Sequence, residues 1–148
     1  MSDIAAELRL EVESALPGLR SLSDADVTRD RGAGKWLRKE ILGHLIDSAF
    51  NNDQRFVLAQ LAGSFAGASY DQEGWVRLHA YRNRSWSELV DTWAAVNRHV
   101  ANAIDAASEA GLQARCVIGG GEPVSLEWLM RDYVRHLRHH LAQITGGS

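Results

Sequence analysis

Apolar residues recur at helical spacing in four stretches of the chain, and each stretch predicts an amphipathic helix. The first stretch covers residues 4–16 and ends at Pro17-Gly18, a pair that typically stops a helix. The second and longest covers residues 35–65, and its apolar arc is broad enough to contact two neighbouring helices. Its length makes this helix the expected centre of the fold.

The third and fourth helices begin at recognisable capping residues. Ser85-Trp-Ser-Glu88 forms a capping box and predicts a helix that runs to Ala110, before Gly111. Ser125 caps a final helix that runs to Ile144 and ends at Gly146-Gly147.

Polar and glycine-rich segments separate these helices. Residues 22–34 and 63–84 predict loops, the second of them long and structured, and residues 114–124 predict a short hairpin around three glycines. Strand-like alternation is otherwise weak, so the pattern predicts an all-α four-helix bundle. The 148 residues fit a single domain spanning 1–148, since no connection is long enough for a second core.

Composition narrows the class of protein. The formal charge of −3 lacks the basic excess that binds nucleic acid, so we expect no nucleic-acid partner. No apolar run reaches the ~20 residues needed to span a bilayer, and the N-terminus lacks a secretory signal, so we expect a cytoplasmic protein without a membrane partner. The single cysteine, Cys116, excludes an intramolecular disulfide and is expected to be a small hydrophobic residue rather than a nucleophile.

Three of the six histidines fall at the edges of buried helix faces. On the last helix, His136 and His140 form an i, i+4 pair beside the apolar stripe, whereas His139 faces solvent. On the second helix, His44 borders the apolar arc and begins a polar strip. That strip continues through Asp47, Asn51 and Arg55.

Two histidines at this spacing can share one metal ion, and His44 is the best candidate for a third ligand. Imidazole ligands suit Zn, Ni, Fe or Cu. Ordinary flanking or core-edge histidines remain the alternative, so the periodicity leaves both interpretations open. Asn97 lies within the apolar stripe of the third helix, and a buried amide must find a partner there.

Three segments resemble motifs of the DinB-like superfamily, which includes DinB and YfiT-like proteins. The first is Trp36-Leu-Arg-Lys-Glu-Ile-Leu-Gly-His44-Leu-Ile-Asp-Ser48. The others are Tyr70-Asp-Gln-Glu-Gly-Trp75 and Asp132-Tyr-Val-Arg-His136-Leu-Arg-His-His140-Leu. The resemblance covers residues 36–144 and implies a four-helix bundle of the DinB/YfiT-like type with unusual connections. It also implies a homodimer that binds a divalent ion, Zn or Ni, through His44, His136 and His140.

The family resemblance implies either a metal-dependent hydrolase or a thiol-S-transferase that acts on a small molecule, the latter with a low-molecular-weight thiol. Asp47 and Asn51 are candidates for a general base or for residues that orient the reacting groups. Asp132, one turn before His136, is a candidate hydrogen-bond partner of that ligand. Pairing with arginines on the same helix is the alternative for both aspartates. A non-enzymatic, stress-associated bundle with a structural or vestigial metal is the alternative function. The Tyr70–Trp75 segment either forms a lid or packs the long connection over the bundle, and we favour packing.

Overall fold

Four long helices form the body of the protein. The computed structural model describes residues 3–146. Its elements in chain order are α1 (Asp3–Ser21), α2 (Asp24–Thr28), α3 (Arg38–Ala62), β1 (Ser64–Gly67), α4 (Gln72–His79), a 3-10 turn (Tyr81–Asn83), α5 (Trp86–Asp105), α6 (Glu109–Leu112), β2 (Arg115–Ile118), β3 (Val124–Ser125) and α7 (Leu126–Thr145). The predicted all-α four-helix bundle is confirmed, and α1, α3, α5 and α7 build it.

The long helices do not pack in the order of the chain. Both α1 and α3 pack against α5 and α7, so α1 and α3 face each other across the bundle. Two connections therefore run diagonally across the bundle: the one from α1 to α3 and the one from α5 to α7. This arrangement makes α3 and α7 direct neighbours, and it is these two helices that carry the three candidate metal ligands.

A diagonal hydrogen bond crosses the core between α5 and α7. The Tyr133 hydroxyl donates to Oδ1 of Asn97 at 2.5 Å, while Nδ2 of Asn97 donates to the Trp93 carbonyl at 2.9 Å. Asn97 is fully buried, so the expectation that this amide finds a partner is confirmed.

A small sheet ties two connections together. The predicted hairpin is confirmed: β2 and β3 pair antiparallel, with Cys116 opposite Val124. Strand β1, which the sequence did not predict, adds to β2 in parallel register. Cys116 is fully buried among core residues, as expected for a small hydrophobic side chain.

Several helix boundaries differ from the prediction because tertiary packing outweighs local signals. Helix α1 continues through Pro17 to Ser21, since Leu19 is buried and its carbonyl accepts a hydrogen bond from Trp86 Nε1 at 2.8 Å. Helix α3 ends at Ala62, and the following Gly63 caps it in a left-handed conformation with φ of 77°. Helix α5 ends at Asp105 instead of continuing to Ala110, and the separate short helix α6 follows at Glu109–Leu112.

Two short helices lie in the predicted loops. A capping box between Ser23 and Asp26 begins α2, and the Asp71 side chain caps α4 by accepting from the Gly74 amide at 3.0 Å. Helix α7 begins at the predicted cap Ser125 and ends at Gly146, while Gly147 lies outside the described residues. Across residues 3–146, none of the helices has the length and apolar character that crossing a bilayer requires.

Candidate metal centre

Helix packing brings three histidines to one point between α3 and α7. His44 lies on α3 and is 1% exposed, whereas His136 and His140 lie one turn apart on α7 and are half-buried. One ring nitrogen from each histidine lies within 4.8 Å of the others. The structure therefore brings together the three residues that the sequence analysis selected as ligands.

The spacing of one pair of ring nitrogens matches that of two ligands on a tetrahedral ion. The Nε2 atoms of His44 and His136 lie 3.3 Å apart. Two nitrogens bound to a tetrahedral ion at about 2.0–2.1 Å lie roughly 3.3–3.4 Å from each other. The His140 ring is centred 4.9 Å from the His44 ring and 4.5 Å from the His136 ring.

Burial keeps these imidazoles neutral. It lowers the pKa of His44 from 6.5 to about 3, with repulsion from His136 and His140 as the lesser cause. Burial likewise lowers the pKa of His136 to about 4, and it lowers the pKa of His140. Neutral histidine is the form that binds a metal ion, so these ligands need not lose a proton near pH 7.

Neighbouring groups orient two of the rings. Nδ1 of His140 lies 2.7 Å from Oε1 of Gln143, and an N–H donated there leaves the Nε2 lone pair free for a ligand bond. The Trp36 ring covers His44 at 4.9 Å between centroids. Nδ1 of His44 is buried and finds no hydrogen-bond partner among residues 3–146. A cluster of neutral, converging imidazoles fits a divalent ion.

The remaining histidines lie outside this cluster. His139 is exposed on α7, as predicted, and His99 is exposed on α5. His79, for which the sequence indicated no role, lies on α4 with Nδ1 placed 3.1 Å from Oδ1 of Asp47.

Asp47 lies in a buried network that joins α3 to the long connection. Its side chain is 1% exposed, and Oδ1 accepts a hydrogen bond from the Tyr81 hydroxyl at 2.6 Å. Burial raises the pKa of Asp47, while Tyr81, His79 and Arg84 oppose that rise. Its Oδ2 has no partner within the described part of the chain. The alternative for Asp47, pairing with an arginine on its own helix, is not what the structure shows, since Oδ1 contacts Tyr81 and His79 instead.

Asn51 and Asp132 occupy more peripheral positions. Nδ2 of Asn51 donates to the backbone carbonyl of Asp47 at 2.9 Å, and Asn51 lines an outer groove with Phe50 and Trp75. Asp132 forms an ion pair with Arg135 on the same helix. The catalytic roles of Asp47 and Asn51, and the role of Asp132, stay predictions.

A small cavity of about 140 Å³ adjoins His136. It is lined by Ser48, Asn52, Arg55, Tyr70, Gln72, Leu129, Asp132, Tyr133 and His136. Ser48 and Asn52, which the sequence analysis did not select, follow His44 by one and two helical turns. That i, i+4, i+8 spacing is the signal that identifies their face.

The Tyr70–Trp75 segment packs over the bundle. The Tyr70 and Trp75 rings meet edge to face at 5.5 Å, and Asp71 caps α4. Tyr70 and Ser48 both line the cavity, so the segment closes one side of it. These contacts agree with the packing role that we favoured.

Comparisons with known proteins agree with this architecture. No curated protein sequence matches the chain. Among solved structures, YfiT from Bacillus subtilis matches with a TM-score of 0.86 and 22% identity, over 99% of this chain and 87% of that one. YfiT is described as a probable metal-dependent hydrolase with an unusual four-helix bundle topology. The DinB superfamily profile matches residues 7–144, and the chain accordingly belongs to the DinB superfamily.

Proposed function

We propose that this protein is a metal-dependent enzyme that acts on a small molecule, as a hydrolase or as a thiol-S-transferase. His44, His136 and His140 hold a divalent ion, Zn or Ni, in this proposal. The observation that carries it is the convergence of one nitrogen from each of these histidines within 4.8 Å. The description of YfiT as a probable metal-dependent hydrolase supports the hydrolase alternative.

The number of protein ligands favours a catalytic ion over a structural one. Structural zinc sites close the coordination sphere with four protein ligands, whereas catalytic sites use three and keep a position for water or substrate. Within residues 3–146, the cluster contains three histidines and no cysteine or carboxylate. The cavity beside His136 supplies room for part of a reacting molecule.

The chemistry follows from the groups around the ion. A bound divalent ion lowers the pKa of water or of a thiol, and so supplies a nucleophile near neutral pH. The cavity wall offers the Ser48 and Tyr70 hydroxyls as hydrogen-bonding groups for a substrate. Asp47 carries the proposed base role because burial raises its pKa towards the working range of a general base. Asn51 is proposed to orient this region through its bond to the Asp47 carbonyl.

Metal binding is the first test. Purified protein, loaded with Zn or Ni and then dialysed, is expected to retain about one ion per chain by elemental analysis. His136→Ala should lose that ion, while the exposed neighbour His139→Ala should keep it and serves as the matched control. Failure of the wild-type protein to retain either metal, or full retention by His136→Ala, would contradict the proposal.

A second test separates an enzyme from a non-enzymatic bundle with a vestigial metal. Zinc-loaded and metal-free protein are compared on activated esters with water as the nucleophile, and on an epoxide with glutathione. Metal-dependent turnover that His136→Ala abolishes supports the enzyme. Identical rates with and without the ion favour the non-enzymatic alternative.

The homodimer is also a proposal, and an apolar stripe on α3 supports it. Phe50, Val57 and Leu61 are spaced by seven and four residues, so they share one helix face. Their exposed fractions are 55%, 39% and 79%. Light scattering on the wild-type protein and on Leu61→Lys tests whether a dimer forms and whether this face holds it together.

A further inference from the structure

Arg55 is a half-buried cation without a carboxylate partner among residues 3–146. In the same part of the chain its guanidinium makes one hydrogen bond, a long one of 3.4 Å to the Ala68 carbonyl. Burial lowers the pKa of Arg55, which means that its surroundings disfavour the charged form of the guanidinium. A guanidinium presents five N–H donors, and most of those of Arg55 have no acceptor here.

Its position connects this unpaired charge to the metal centre. Arg55 and His136 line the same cavity, one from α3 and one from α7. The guanidinium carbon lies 5.8 Å from the centroid of the Tyr70 ring, which also borders the cavity. Two other lining residues are joined to each other, since Nδ2 of Asn52 donates to Ser48 Oγ at 3.2 Å.

Two carboxylates at or beside the cavity have partners outside it. Asp132 pairs with Arg135, and Asp47 accepts from Tyr81 and lies beside His79. Arg55 is the arginine that lines the cavity, and it has no carboxylate partner among residues 3–146; a divalent ion bound by the histidines would add positive charge beside it.

We propose that Arg55 binds an anionic oxygen group of the substrate, a carboxylate or a phosphate, in the cavity beside His136. The planar guanidinium matches the paired oxygens of such groups and binds them more strongly than a neutral partner would. The term substrate depends on the function proposed above, whereas anion binding itself does not.

The size of the cavity limits what enters it. A volume of about 140 Å³ is well below the ~300–1,000 Å³ typical of sites that enclose a whole small molecule. The cavity therefore takes the anionic head of the ligand and leaves its body outside. An anion anchored at Arg55 would place the adjoining atoms of the substrate next to His136.

Stacking on Tyr70 is the structural alternative for Arg55, and only ligand binding separates the two. The Nε–Hε resonance of Arg55 is followed by nuclear magnetic resonance during titration with acetate, inorganic phosphate and the neutral analogue acetamide. Zinc-loaded and metal-free protein are both titrated. Acetate or phosphate should shift the resonance to saturation and acetamide should not; the preferred anion distinguishes a carboxylate from a phosphate ligand.

Variants then identify the residue that binds the anion. Arg55→Gln should weaken the affinity for the anion at least about tenfold, as read from the Tyr70 and Gln72 amides, with zinc retention unchanged. Arg55→Lys should recover part of the affinity because it restores the charge. Arg98→Gln, an exposed arginine paired with Glu13 on the far side of α5, is the matched control and should bind like wild type.

Two results would overturn the inference. One is the absence of an Arg55 shift with both anions, and the other is equal affinity in Arg55→Gln and wild type. If the protein fails to bind zinc, the proposed function fails, but the titration of the metal-free protein still decides whether Arg55 binds an anion. Thermal unfolding of each variant checks that a loss of binding does not reflect a loss of fold.

Discussion

Nε2 of His44 lies 3.3 Å from Nε2 of His136, although 92 residues separate them in the chain. Two ring nitrogens this close share either one proton or one metal ion. His44 is buried and His136 is half-buried, and burial lowers the pKa of both so that they are uncharged near neutral pH. The same contact thus supports metal binding and makes the metal-free protein sensitive to acid.

The metal-free protein should lose stability as the pH falls below 6.5. His44 and His136 titrate at about 3 and about 4 in the folded chain, against 6.5 when unfolded. As the pH falls, the histidines of the unfolded state therefore become protonated before those of the folded state. The contribution of the two neutral histidines to folding stability is complete above pH 6.5 and declines towards pH 4. For each histidine, the free energy of unfolding should fall by about 1 kcal/mol per pH unit in that range, as measured by urea unfolding.

Two variants check the origin of this acid sensitivity. His44→Gln removes the most strongly shifted histidine, so its unfolding free energy should depend less on pH between 6.5 and 4. The exposed His139→Gln should retain the full dependence. Parallel curves for wild type and His44→Gln would contradict the assignment.

Tyr133→Phe should destabilise the fold by about 1–3 kcal/mol, because it leaves the buried Oδ1 of Asn97 without its donor. Combining it with Asn97→Leu removes both partners. The double variant should then lose less stability than the sum of the two single changes, as measured by chemical unfolding. Simple additivity would indicate that the bond does not couple the two helices.

Gly43→Ala should destabilise the protein by several kcal/mol, since a Cβ there would lie 2.1 Å from Cδ2 of the buried Tyr81 ring. The matched control is Gly18→Ala in α1. Its Cβ would meet Thr145 Cγ2 at an ordinary 3.8 Å, and alanine favours a helix by roughly 0.5–1 kcal/mol. Thermal unfolding should therefore shift in opposite directions for the two variants.

Tyr81→Phe should raise the pKa of Asp47. The Tyr81 hydroxyl donates to the carboxylate and so favours its charged form, against the effect of burial. A rise of the order of one pH unit is expected, as read from the carboxyl carbon of Asp47 by nuclear magnetic resonance. An unchanged or lower pKa would show that this hydrogen bond does not control the ionisation of Asp47.

Periodicity and capping residues were sufficient to predict the four long helices and the faces of their histidines. His44, His136 and His140 stand at fixed angles relative to apolar neighbours on their own helices, and that angle is a property of the helix alone. Ser85 and Ser125 begin α5 and α7 as predicted, because their side chains accept from amides three residues onward.

The tertiary structure alone decided which helices are neighbours and what surrounds the histidines. A local pattern shows which face of a helix is buried, but not which partner buries it, so the placing of α1 opposite α3 and the pairing of β1 with β2 were not predicted. The cavity of Ser48, Asn52, Arg55 and Tyr70 forms for the same reason. The chain sequence determined which residues are available to bind a metal ion, and packing between distant segments determined that they meet and which charges face them.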